Sequence, residues 1–149
     1  MGRRVNVIGV GMIPFAKPGR SEDYHVMASK AARNALKDAA IAYDEVQQAY
    51  AGYVFGDSTC GQRVLYDVGM TGIPVVNVNN NCATGSSALF LARQAIAAGV
   101  IDCALAVGFE QMSPGAIGQT FNDRPFAMEQ FTSAITEWQG DSRAPFAAQ

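Results

Sequence analysis

Between Val75 and Ala92 the chain reads VVNVNNNCATGSSALFLA. A strand-like run meets three consecutive asparagines, then Cys82, then a patch of very small residues, then a helical pattern. A thiolate is a nucleophile, whereas free cysteine is mostly thiol at neutral pH. The unpaired N–H groups and the dipole of a helix N-terminus favour an anion at such a join. A strand-to-helix turn also lifts its side chain clear of a sheet, as the serine of a nucleophile elbow is lifted. Ala83, Gly85, Ser86 and Ser87 leave room for a substrate and for backbone N–H donors. Asn79, Asn80 and Asn81 can fix the turn and donate hydrogen bonds. On spacing alone, a catalytic nucleophile and a buried structural cysteine are equally good readings of Cys82.

Other residues offer less. In GVGMIPF, Gly9 and Gly11 follow a strand-like run, as a dinucleotide fingerprint begins, but Pro14 stands where the third glycine should open a helix. A tight turn explains those glycines better than a phosphate cradle does. His25 is the only histidine, so no histidine cluster is possible. It falls in the first turn of a helix, where the dipole disfavours a cation, and it reads as a solvated residue. Cys103 lies in an apolar run and reads as a small buried hydrophobe. Cys60 lies in a polar, glycine-rich stretch and reads as a partly exposed, inert thiol. Neither forms a metal-ligand spacing with Cys82.

The elements that must position Cys82 alternate. Strands are predicted at Val5–Val10, in QAYAGYVFG (48–56), in VVNVN (75–79) and in DCALAVGFE (102–110). The last is apolar on both faces, as in a central parallel strand. A helix with Ser21 or Asp23 as its N-cap covers DYHVMASKAARNALKDAAI. A short helix is expected around 63–68. A third helix, GSSALFLARQAIAAG, is apolar nearly all round, which predicts burial, and Gly99 ends it. The pattern is βαβαβαβ, an α/β layered domain with a mostly parallel sheet. After Glu110 the periodicity weakens, so the expected division is an α/β unit over 1–113 and a different one over 114–149. SRAPFAAQ has no terminating logic and reads as the middle of a longer chain.

Composition bounds the function. Of 149 residues, 49% are hydrophobic and 16% charged, a globular balance. A net charge of -2 without a long basic run argues against nucleic acid or an anionic membrane as main partner. No apolar stretch approaches the ~18 residues of a membrane span. MGRRVNVIGVGM lacks the apolar region and cleavage site of a secretory signal. Three cysteines without framework spacing fit a reducing compartment.

The strings GDSTCGQR and NNNCATGS, with GMTGIPVVNVNNNC and the later GFEQMS, resemble the thiolases. The similarity is to the sterol-carrier-protein-X branch of 3-oxoacyl-CoA thiolases, the lipid-transfer-protein type, and it covers about the first 115 residues. The resemblance implies a thiolase N-terminal half-domain over 1–113 followed by the start of a loop domain over 114–149, with the C-terminal half absent. It makes Cys82 the nucleophile that attacks a 3-oxoacyl-CoA and carries the acyl group until a second CoA takes it. The acyl chain would be long, branched or sterol-derived. Coenzyme A would be a co-substrate, with no resident cofactor and no metal. The family's catalytic histidine and second cysteine belong to the second half, so the isolated chain is expected to turn over poorly.

The resemblance also implies a homodimer or larger assembly, with the loop around Gly61 and Gln62 near the partner, or docking on a second subunit. The expected location is cytoplasmic, or peroxisomal in a eukaryote. The alternative is a non-catalytic thiolase-fold module that scaffolds another chain or binds acyl-CoA. A coding sequence continuing past Gln149 into a segment with histidine and a second cysteine would favour the enzyme. A related retro-aldol chemistry on steroid side chains does without the thiol, so Cys82 lowers its standing.

Overall fold

The computed structural model describes residues 2–113 and 121–139. The chain divides into two compact units, 1–114 and 115–149. In the first, helix α1 (Tyr24–Ala39) and a 3-10 turn (Tyr43–Glu45) precede strand β1 (Gln48–Gly52). Helix α2 (Cys60–Val68), strand β2 (Val75–Val78), helix α3 (Thr84–Ala97) and strand β3 (Ala104–Gly108) follow. The strands form a parallel sheet in the order β2-β1-β3, with Gly52 opposite Val78 on one side and Gly108 on the other. Parallel neighbours need crossover connections, and α2 and α3 supply them.

Strand alternation sends side chains to two different layers. Ala49, Ala51, Leu105 and Val107 pack with Ala28, Ala32 and Leu36 of α1 and with Val64 and Leu65 of α2. Tyr50, with Ala104 and Ala106, faces Ala88 and Ala92 of α3. Helices therefore cover both faces of a parallel sheet, the α/β layering read from the sequence. Gly99, at φ +76, ends α3 as expected, while Val100 donates its N–H to the Ala95 carbonyl at 3.0 Å.

Three expectations need correction. The Val5–Val10 run is not a strand: residues 2–16 join no ladder. Both edges of β1 are taken by β2 and β3, and the N-terminal run lies along α1 instead. A Cβ on Gly9 would stand 2.5 Å from the Ala35 carbonyl oxygen, and one on Gly11 would collide with that of Ala31. The Val10 N–H donates to Asp38 at 2.9 Å, and the Asn34 amide donates to the Met12 carbonyl at 3.3 Å. The glycines of GVGM thus serve a close backbone-to-helix contact. The second correction concerns α3. Only Thr84, Ala88 and Ala92 are buried along it, and Leu89 and Phe90 are 54% and 55% exposed. The third concerns α2, which begins at Cys60 and not near Arg63.

The second unit holds helix α4 (Glu129–Gln139), which weak periodicity concealed. Phe131, Ala134, Ile135 and Trp138 recur at helical spacing, with Ala134 and Ile135 half-buried and Phe131 and Trp138 exposed. The Arg124 guanidinium lies 4.4 Å from the Phe121 ring centre. The stretches 114–120 and 140–149 of the aperiodic segment lie outside the described residues.

The N-terminal contact has a direct test. Gly11→Ala forces a methyl against the α1 backbone, and overpacking of this kind costs about 1–3 kcal/mol. Urea unfolding should show that loss, and an unchanged midpoint would refute the contact.

Candidate functional site

The segment between β2 and α3 shows why three asparagines stand in a row. Asn81 has φ 50, in the left-handed region that asparagine tolerates better than most residues. The Asn79 side-chain oxygen accepts the Asn81 N–H at 3.3 Å, and the Asn80 amide donates to the Ser87 hydroxyl at 2.8 Å. Each asparagine therefore has a different structural duty. The Ala83 and Thr84 N–H groups close turns onto the carbonyls of Asn80 and Asn81 at 3.0 and 3.1 Å.

Cys82 sits inside this turn, exposed, two residues before α3 begins. It is at the join the pattern predicted, and the burial reading of it falls. The Gly85 and Ser86 N–H groups have no acceptor among the described residues. They are the open donors of a helix N-terminus. A side chain on Gly85 would meet nothing within 4 Å, so the space beside the turn is clear.

The carboxyl edge of the sheet carries the turn, the end at which open α/β sheets bind ligands. Gly52 and Gly108 end β1 and β3 there. A Cβ on Gly52 would stand 2.8 Å from the Thr84 methyl and 3.1 Å from its carbonyl oxygen. The bare strand end is thus what admits the first turn of α3. Beyond β3, the Glu110 carboxylate accepts the N–H groups of Val54 and Phe55 at 2.8 and 3.0 Å and ties the loop after β1 to the end of β3.

The other sequence candidates lie apart from Cys82. His25 is not a solvated residue. Its Nδ1 lies 2.6 Å from the Asp67 carboxylate, whose other oxygen takes Arg63 at 2.5 Å, and Arg33 donates to the Asp67 carbonyl. The histidine joins α1 to α2 and makes no contact with Cys82 among the described residues. The His25 bond, and then Arg63, hold the Asp67 carboxyl below the usual carboxylate range.

Cys60 opens α2 and is buried, not exposed, because Tyr24 and Tyr53 cover it. Its N–H donates to the Tyr53 hydroxyl at 3.2 Å, and its thiol lies near the Tyr24 hydroxyl. The Cys60 thiol, and then burial, push the Tyr24 phenol up, and burial pushes Tyr53 up. The rings of Tyr24 and Tyr53 both stack on Phe109, at 5.6 and 5.1 Å. A groove of about 410 Å³ lies over Tyr24 and Cys60, lined also by Ser21, Phe55, Asp57 and Gln111, and Cys82 does not line it. Cys103 is half-buried just before β3, and burial raises its thiol pKa.

Among the described residues, no three His, Cys, Asp or Glu side chains stand close enough to hold a metal ion, and no helix is long and apolar enough to cross a membrane. Thr84, Gly52 and Gln111, whose side-chain oxygen accepts the Tyr24 N–H at 2.8 Å, escaped the sequence reading as positional residues. The only available signals were a threonine two residues after Cys82, a glycine at a strand end and a glutamine after the last strand.

The profile of the family described as Thiolase, N-terminal domain, matches residues 5–136. The chain is 55% identical over 150 residues to sterol carrier protein 2 of Homo sapiens, a match that takes in 99% of this chain and 27% of that protein. It is 40% identical over 111 residues to benzoylsuccinyl-CoA thiolase subunit BbsB of Thauera aromatica, covering 72% of this chain and 28% of that one. The chain thus spans about a quarter of the length of these relatives. Among solved structures, 3-oxoacyl-[acyl-carrier-protein] synthase III from Aquifex aeolicus VF5 superposes with a TM-score of 0.56 at 21% identity, over 64% of this chain and 32% of that one. That likeness is one of fold.

Two measurements check this geometry. Limiting iodoacetamide on the native chain, followed by peptide mapping, should label Cys82 before Cys103 and Cys60. Labelling of Cys60 first would contradict its burial. For the α1–α2 clasp, a depressed carboxyl contributes stability above its unfolded value of about 3.9, and loses it as pH falls through the lower folded value. The stability gap between the parent and Asp67→Asn should therefore be present above that pH and close below it. A gap that does not change on acidification would refute the clasp.

Proposed function

Because the chain belongs to the thiolase family, whose N-terminal domain it carries, we propose that it is the nucleophile-bearing half of an acyl-CoA acyltransferase. The observation that supports this most is the exposed Cys82 on a turn fixed by three asparagines, beside the open N–H groups of Gly85 and Ser86. Cys82, as thiolate, attacks the C3 carbonyl of a 3-oxoacyl-CoA. The C2–C3 bond breaks, its electron pair leaves with acetyl-CoA as an enolate, and a proton from an acid completes that product. The thiolate of a second CoA then attacks the acyl-cysteine, and the acyl-CoA departs as the Cys82 thiolate returns. Backbone N–H donors aimed at the developing oxyanion serve both steps.

His25 is engaged with Asp67, so in this proposal the base and acid come from outside the described residues. The stretch 1–113 is the N-terminal half-domain and 114–149 the start of a loop domain. Coenzyme A is co-substrate, and no resident cofactor or metal is required. The acyl chains are long, branched or sterol-derived, and the assembly is a homodimer or a pairing with a second half. The setting is cytoplasmic, or peroxisomal in a eukaryote.

A second reading has its own support. Several relatives carry the name sterol carrier protein 2, and one at 45% identity is a non-specific lipid-transfer protein-like 2 from Caenorhabditis elegans. In that reading the chain binds acyl-CoA, or scaffolds another chain, without chemistry.

One experiment separates the two. The isolated chain, given a 3-oxoacyl-CoA, should form a slow acyl adduct on Cys82, visible by intact mass, without sustained thiolysis. Each missing acid–base group withholds roughly 10²–10⁴-fold in rate. A complementing C-terminal half should restore turnover, and Cys82→Ser should abolish it. Acyl-CoA binding with no adduct, unchanged in Cys82→Ala, would establish the carrier reading instead.

A further inference from the structure

Thr84 is 5% exposed and is the first residue of α3, one past the cap position at Ala83. A capping hydroxyl accepts an N–H from the first turn of its own helix. The Thr84 oxygen instead accepts the Asn80 N–H at 2.8 Å, and its proton goes to the Asn81 carbonyl at 2.6 Å. The Asn81 carbonyl already receives the Thr84 N–H. The distinct contribution of the hydroxyl is therefore made upstream, to the turn that precedes Cys82. Its two partners bracket the left-handed Asn81. A non-glycine residue stays in that conformation only where its surroundings over-determine it. The Thr84 methyl points the other way, toward Gly52, where any side chain would collide with it. One side chain thus joins the turn after β2, the start of α3 and the end of β1.

We infer that Thr84 is a positioning residue for Cys82. Its hydroxyl bridges Asn80 and Asn81, keeps Asn81 left-handed, and so fixes where the thiol stands relative to the open N–H groups of Gly85 and Ser86. The inference rests on the reading of Cys82 as the nucleophile. It assigns Thr84 no contact with substrate.

The test compares the parent with Thr84→Val, which keeps the shape and removes the hydroxyl, and with Thr84→Ser, which keeps the hydroxyl and removes the methyl. Two readouts are taken on the native chain: the rate at which iodoacetamide labels Cys82, and the hydrogen exchange of the Asn80 amide. Thr84→Val should slow Cys82 labelling roughly tenfold, the rate equivalent of one or two lost hydrogen bonds, and should speed Asn80 exchange. Cys103 labelling should not change. Thr84→Ser should keep the parental values of both readouts, a rescue that a purely packing role would not allow. Thr84→Ala serves the same comparison should the valine variant not fold. Parental labelling in Thr84→Val, or equal slowing in Thr84→Ser, overturns the inference alone. A parent whose Cys82 labels no faster than free cysteine overturns the nucleophile reading and the positioning role with it, so the two failures are distinct.

Discussion

The first turn of α3 can sit where it does only because β1 ends without a side chain. At Gly52 the strand comes within van der Waals reach of the Thr84 methyl and carbonyl, and even one carbon more would force the helix away. Much of the site geometry follows from that contact. It sets the height of α3 over the carboxyl edge of the sheet, which fixes the span that residues 79–83 must bridge. The bridge is short, so it needs a left-handed residue, and Asn81 is that residue. The exposed thiol comes next in the chain.

The two faces of the sheet are covered unequally. On one side, α1 and α2 bury leucines and valines against the strands. On the other, α3 offers mostly alanines to Tyr50 and its neighbours. Small residues on both sides of an interface allow close approach at the cost of apolar area. Of the larger side chains of α3, Leu89 and Phe90 are exposed, while Leu91 packs beside the alanines. The helix that follows the candidate nucleophile is therefore held by closeness and by hydrogen bonds at its start more than by a large apolar interface.

The legible part of the fold was local. Three strands and the helix after Cys82 fell where period and small-residue patterning placed them, although the strands were drawn too long. Tyr53, for example, leaves the ladder to stack on Phe109 and accept the Cys60 N–H. What the sequence hid was contact between distant segments. Val5–Val10 alternates like a strand, and nothing within it reveals that Gly9 and Gly11 rest on a helix backbone. Cys60 looked exposed among Gly56, Ser58 and Gly61, because its cover comes from Tyr24 and Tyr53. His25 looked solvated because Asp67 lies 42 residues away in sequence. The place of Cys82 was readable from its neighbours. Thr84 was not, since a hydroxyl reaching back across a turn leaves no periodic trace.

The start of α1 carries a further implication. Asp23 makes no side-chain cap there, and the Tyr24 N–H donates instead to the Gln111 side chain at 2.8 Å. The partner stands 87 residues later, just past β3. A helix near the beginning of the chain is thus completed by a residue that leaves the ribosome long after it. Until residue 111 is in place the Tyr24 N–H has only water to accept it, and closing so long a loop carries an entropic cost. In order of synthesis α1 comes early, and the bond that completes its first turn is made late.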